Sequence, residues 1–282
     1  MSPAGGTDLH RRPPGDWDDA YANRAHIADA DAVIAGWARD APAFRAGLGD
    51  RARTDLAYGP GARERFDLFL PEGPPRGLML FLHGGYWMAF DKSAWSHLAA
   101  GAVARGWAAV LPSYALAPEA RISEITRQAA AALGAAAAEV PGPIALAGHS
   151  AGGHLAARLL CADVELDPAV RGRVRGAVSI SGLHDLRPLL RTAMNATLQL
   201  DGPEAEAESP ALRAPVPGAR LTAWVGGDER PEFLRQAELI AALWPGLGAE
   251  TRLVVEPGRH HFDVIAGLAD PASALCAALL EE

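Results

Sequence analysis

The chain has 282 residues, enough for one large α/β domain or two small ones around a continuous core. A formal net charge of -8 and a pI near 5.6, with Lys and Arg spread thinly, argue against a nucleic-acid footprint, which needs clustered cations. A composition of 49% hydrophobic and 21% charged residues excludes extensive disorder, and no window approaches the roughly 18 consecutive apolar residues of a membrane span.

Residues 1–16 are rich in Pro, Gly and polar side chains and lack an apolar h-region, so they read as a flexible arm and not as a targeting peptide. The expected compartment is therefore the cytoplasm. Cys161 and Cys276 lie in no metal-ligand or CxxC spacing and read as two buried free thiols. Residues 17–282 read as a single domain. From Trp17 to about Arg45, Ile27, Val33, Ile34 and Trp37 recur at helical spacing, and the segment 17–50 is expected to pack as a lid. Thr54–Tyr58 and Arg65–Leu70 flank a Gly-Pro-Gly turn and predict two antiparallel edge strands.

Short apolar runs then alternate with helical stretches: Leu78–Leu82, Trp107–Leu111, Ile144–Ala147, Val174–Ile180, Leu221–Val225 and Arg252–Val255. Runs without polar alternation suit strands buried on both faces. Their alternation with helices predicts an α/β architecture with a mostly parallel sheet of about eight strands. The mixed, Pro-rich stretch 183–217 interrupts this rhythm and reads as a small cap above the sheet.

The strongest chemical signal is Gly148-His149-Ser150-Ala151-Gly152, set between the apolar run Ile144–Ala147 and the helix-like run His154–Ala162. A serine at such a strand-to-helix turn presents its hydroxyl, and flanking glycines are needed where side chains would collide with strand and helix. The competing reading is a Gly-rich turn with an incidental serine. Against it stands His83-Gly84-Gly85-Tyr86-Trp87 after the run Leu78–Leu82, a loop able to give backbone N–H groups to a developing oxyanion. Gly84, Gly85 and Tyr86 form this oxyanion loop, with Ala151 as its partner after the serine.

A hydroxyl is a poor nucleophile at neutral pH and needs an imidazole base, itself held by a carboxylate. Downstream, Leu221–Val225 runs into Gly226-Gly227-Asp228-Glu229, and Arg252–Val255 runs into Pro257-Gly258-Arg259-His260-His261-Phe262. Both loops follow strand C-termini, where open α/β sheets bind their ligands, and they give the order serine, acid, histidine. Asp228 and Glu229 compete for the acid: aspartate is the commoner choice, whereas the spacing of three residues from Gly226 favours Glu229. His149, His154, His260 and His261 show no metal-ligand spacing, so neither metal nor cofactor is expected.

On these residues the chain resembles the kynurenine formamidase (arylformamidase) family of α/β-hydrolase serine hydrolases, relatives of the hormone-sensitive-lipase type of esterases. The resemblance spans about Tyr21 to the C-terminus. Tyr86 stands where the esterases usually carry a third glycine, and Ser181-Gly182-Leu183-His184-Asp185-Leu186 and Pro231-Glu232-Phe233 also match. The resemblance implies the base at His261, immediately before Phe262, and the acid at Glu229. It further implies hydrolysis of N-formyl-L-kynurenine to formate and L-kynurenine without a metal, the alternative being a carboxylesterase for short acyl esters. Trp87, Phe90 and His184 are the candidate substrate-binding residues, Trp95 a further aromatic wall, and Arg187 and Arg191 candidates for holding a carboxylate. The expected partner is a small-molecule substrate, with a homodimer as a further option and neither nucleic acid nor membrane.

Overall fold

The computed structural model describes residues 15–281. The expected arm, 1–16, thus lies almost wholly outside the described residues. Asp16 is already structural: its carboxylate accepts the amides of Asp18 (2.9 Å) and Asp19 (3.2 Å) and caps the helix Trp17–Tyr21. The stretch expected as one helix to Arg45 is broken. Trp17–Tyr21 is followed by a 3-10 turn, Arg24–His26, and only then by the long helix Ala30–Leu48. Helical spacing of apolar residues reports a buried face, but not whether the backbone between two helical pieces leaves the axis, as it does at Ala22 (ψ 68°).

Eight strands form one sheet: β1 (Ala52–Ala57), β2 (Arg65–Phe69), β3 (Leu78–Leu82), β4 (Ala108–Pro112), β5 (Ile144–His149), β6 (Val174–Ile180), β7 (Arg220–Gly226) and β8 (Glu250–Glu256). Their order is β1-β2-β4-β3-β5-β6-β7-β8, antiparallel where β2 meets its neighbours and parallel elsewhere. This is the α/β architecture that the alternating runs predict. The period of two along β3 divides the core: Leu78, Leu80 and Leu82 pack with the helices Ile122–Glu139 and Ala151–Arg158 on one face. Met79 and Phe81 pack on the other, with Trp37 of the long N-terminal helix and Leu275 and Leu279 of Ala274–Leu280. One run departs from expectation. β8 is an edge strand with Leu253 and Val255 partly exposed, because an apolar run does not say how many neighbours a strand will have.

Register places the site. β3 and β5 are adjacent and parallel, with Leu82 opposite Gly148, so the loop after β3 and the turn after β5 emerge side by side. β6, β7 and β8 follow laterally, and their C-terminal ends deliver Ser181, Gly226–Glu229 and the loop holding His261 to the same edge. The segment 183–217 is a series of short helical turns, anchored by buried Leu183, Leu186, Leu189 and Leu198. The close approach of β5, its turn and the following helix leaves no room for side chains: a Cβ on Gly152 would lie 1.9 Å from the Leu82 carbonyl oxygen, and one on Gly148 2.0 Å from that of Gly152. Gly152→Ala is therefore expected to destabilise the fold by about 2–3 kcal/mol, read from urea unfolding. A stability equal to that of the parent chain would contradict this packing.

Candidate active site

Ser150 sits between β5 and the helix Ala151–Arg158 with φ 55° and ψ -118°, a conformation L-residues rarely adopt. It is held there from both sides: its amide donates to Ile180 O on β6 (2.8 Å), and its carbonyl accepts from His154 N (3.0 Å). The sheet and the helix thus over-determine a turn that turns the hydroxyl away from both. Among the described residues, the Ser150 hydroxyl has no hydrogen-bond partner, and none links it to His261, although both residues line one cavity. Such a contact commonly tightens only when substrate binds.

Glu229, not Asp228, meets the histidine. His261 Nδ1 lies 2.6 Å from Glu229 Oε2, both side chains being almost fully buried, while Asp228 is exposed. The other carboxylate oxygen, Oε1, accepts the Gly226 amide (2.8 Å) and the Ser181 hydroxyl, so the buried charge is met by three donors from three strand ends. The role of Ser181 escapes sequence reasoning, because a serine 48 residues earlier, at the end of the preceding strand, carries no spacing signal toward Glu229. His260 turns elsewhere: its Nδ1 accepts from the amides of Phe262 (3.2 Å) and Asp263 (3.3 Å), and it does not line the cavity.

The loop after β3 is wound tightly, with Gly85, Tyr86 and Trp87 at φ 111°, 51° and 56°. A Cβ on Gly85 would meet the Ala89 carbonyl at 2.4 Å, and one on Gly84 would crowd the Ser150 side chain at 3.2 Å. Among the described residues, the amides of Gly84, Gly85, Tyr86 and Ala151 donate to no protein acceptor, and the Ala151 amide opens the helix N-terminus beside Ser150. Unpaired N–H groups beside a strained serine suit an anionic oxygen. Tyr86 has a second job: its hydroxyl donates to Tyr21 O (2.7 Å) and accepts from Asn23 Nδ2 (3.4 Å). Burial pushes the Tyr86 phenol far above its ordinary range, with Glu229 and Glu232 adding to the effect, so it stays a donor.

The cavity measures about 620 Å³ and is largely apolar. Trp37, Phe90, Trp95 and Phe262 form a packed aromatic wall on one side, with Trp37 4.6 Å from Trp95 and 5.5 Å from Phe262 between ring centres. Tyr21 to Ala25, Met88 and Met194 form much of the rest. Of the candidate pocket residues, Phe90 is on the wall, whereas Trp87 and His184 are not. Trp87 is wholly buried beneath the loop, edge-on to His154 at 5.0 Å. His184 is buried between Ser179 Oγ (3.0 Å) and the Gln236 carbonyl (3.0 Å), where it braces the cap. Neither reaches the cavity because the left-handed turn at Tyr86 and Trp87 and the bend after β6 carry them inward, backbone effects that residue type does not reveal. Arg187 is paired with Asp185 (2.9 Å) and Arg191 stacks on Trp17 (5.3 Å); neither lines the cavity, but Arg24 does.

The family model for the α/β-hydrolase fold matches residues 79–262, which contain Ser150, Glu229 and His261. A kynurenine formamidase from Danio rerio is 30% identical over 80% of this chain and 80% of its own length. One from Salmo salar is 30% identical over 77% and 76%. A solved structure from Silicibacter sp., provisionally described as a thioesterase, is 54% identical with a TM-score of 0.89, covering 94% of this chain and 98% of that one. A carbohydrate esterase from gut microbiota, at 18% identity and TM-score 0.63 over 76% of this chain and 90% of that one, shares the fold. The molecule is thus a hydrolase of the α/β-hydrolase class. Within that class the chain belongs to the kynurenine formamidase family.

Four histidines around the site are buried and uncharged. Burial is the first cause in each: it pushes His83 and His184 down to about 4 and His154 to about 3, and holds His149, next to His261, well below the ordinary range. The unfolded chain would protonate all four near 6.5, so the unfolded state binds more protons below that pH. Stability is then full above pH 6.5 and falls as pH drops toward 4, by about 1.4 kcal/mol per pH unit for each histidine. Urea unfolding at pH 7, 6 and 5 checks this, and a flat profile would contradict it.

Proposed function

We propose that the protein is a serine hydrolase that acts as an arylformamidase, hydrolysing N-formyl-L-kynurenine to formate and L-kynurenine. The observation that carries the reading is the placement of Ser150 and the Glu229-bound His261 on one largely apolar cavity with a wall of aromatic rings. The formamidase relatives support the same substrate class. Glu229 accepts a hydrogen bond from the Nδ1–H of His261 and leaves Nε2 as the base. His261 removes the Ser150 proton as the hydroxyl oxygen attacks the formyl carbon. The amides of Gly85, Tyr86 and Ala151 meet the oxyanion. His261 then gives the proton to the aniline nitrogen as the C–N bond breaks, and a water, deprotonated by the same ring, releases formate from Ser150.

In this mechanism Glu229→Gln loses on the order of 10⁴-fold in kcat by favouring the wrong tautomer, while Asp228→Asn stays within about tenfold. Equal losses in the two variants would remove Glu229 from its role.

A second reading, hydrolysis of an acyl ester or thioester, is favoured by the cavity volume, since a formyl group occupies little of it, and by the Silicibacter relative. The test is twofold. An organophosphonate probe is expected to label Ser150, and kcat/KM for N-formylkynurenine is expected to exceed that for p-nitrophenyl acetate. An unlabelled Ser150 overturns the serine mechanism, and about a hundredfold preference for the ester overturns the formamidase reading.

A further inference from the structure

The wall of the cavity built by Ala22, Asn23, Arg24 and Ala25 precedes the first strand and is held in place by the catalytic side of the molecule. Tyr86 grips the Tyr21 carbonyl, and the Tyr21 hydroxyl donates to the buried Glu232 carboxylate (2.8 Å). Arg230 pairs with Asp19, which also meets His26 Nε2 at 2.7 Å. Arg24 is therefore carried on a backbone fixed relative to the loop that supplies Gly85 and Tyr86.

Among the described residues lining the cavity, Arg24 is the only lysine or arginine, and no aspartate or glutamate lines it. Ser150 is buried, whereas the Arg24 side chain is 68% exposed, which puts the serine deep in the cavity and the cation at its mouth. The guanidinium has five N–H donors, and one of its nitrogens is hydrogen-bonded to Asp31 (2.6 Å), itself 81% exposed. An ion pair this open to water is weak and exchangeable, so another carboxylate can take the place of Asp31 with little loss. The geometry around it offers an acidic substrate one cation, an apolar aromatic chamber and a nucleophile at the far end.

We propose that Arg24 is a specificity-determining residue, which receives the carboxylate of an aryl formamide bearing an amino-acid tail. This assignment rests on the formamidase reading above. The aryl ring lies against the aromatic wall of Phe90, Trp37 and Trp95, the formyl carbon reaches Ser150, and the tail extends to the mouth.

The experiment compares kcat/KM for N-formyl-L-kynurenine with that for 2-formamidoacetophenone, the same aryl formamide without the amino-acid tail, in the full-length chain. The ratio is expected to fall at least about tenfold in Arg24→Ala, mainly through KM, and to recover in part in Arg24→Lys, which keeps charge without the planar fork. Raising salt from about 0.05 to about 0.5 M should erode the ratio in the parent chain and not in Arg24→Ala. Activity of the parent on 2-formamidoacetophenone, with a ratio that Arg24→Ala leaves unchanged, overturns the role of Arg24 alone. Failure of the parent to hydrolyse either formamide overturns the formamidase reading and this assignment with it.

Discussion

The arrangement depends on one buried carboxylate. Glu229 lies at the end of β7 with no exposed side-chain surface, and an uncompensated charge there would cost several kcal/mol. Three donors offset that cost: the amide of Gly226 on its own strand, the hydroxyl of Ser181 from the end of β6, and Nδ1 of His261 from the loop after β8. Each bond draws another strand end to the same point. The imidazole is further held between the rings of Phe233 (4.5 Å) and His149 (4.6 Å), so its plane is set by packing as well as by the hydrogen bond. An imidazole positioned by contacts from three elements is fixed in both place and plane.

The histidines nearby serve the same end by staying neutral. His149 lies directly against His261, and its Nε2 donates to the His261 carbonyl (2.8 Å) while Nδ1 has no partner among the described residues. Burial first, and the neighbouring His261 second, hold His149 well below the ordinary range, so no second cation forms beside the Glu229-bound imidazole. His83 stacks on Tyr114 at 4.3 Å and donates Nδ1–H to the Gly84 carbonyl (2.7 Å), stiffening the loop that lies beside Ser150. Imidazole is used here as a flat, polar packing unit able to reach backbone carbonyls, with its titration suppressed.

Much of this was legible in the amino-acid sequence, and the boundary follows from the kind of information that local pattern holds. The eight strands appear within two residues of their expected bounds because the first two flank a Gly-Pro-Gly turn and the other six follow short apolar runs closed by turn residues. The serine turn is legible because steric crowding demands small residues at fixed positions, as the contacts of Gly148 and Gly152 show. Glu229 follows from spacing along one loop. What stays hidden depends on backbone direction or on partners remote in the chain. Trp87 turns inward through a left-handed residue, His184 is claimed by Gln236, and Ser181 reaches Glu229 across 48 residues. The break in the N-terminal helix is hidden too, and with it the wall of the cavity.

That last omission has a physical consequence for how such a molecule acquires selectivity. The serine, the carboxylate and the imidazole hang from strand ends whose positions are fixed by a continuous hydrogen-bonded sheet, so they can move little without loss of the fold. Tyr21, Asn23, Arg24 and Trp37 instead come from a stretch before β1, fastened by side-chain bonds such as Tyr86 to Tyr21 and Tyr21 to Glu232. Tyr21 and Trp37 are buried in the core, whereas the exposed Arg24 can change without disturbing the sheet. The serine, the carboxylate and the imidazole are therefore fixed by the sheet, while the mouth of the cavity is lined by a covering segment that the sheet constrains less.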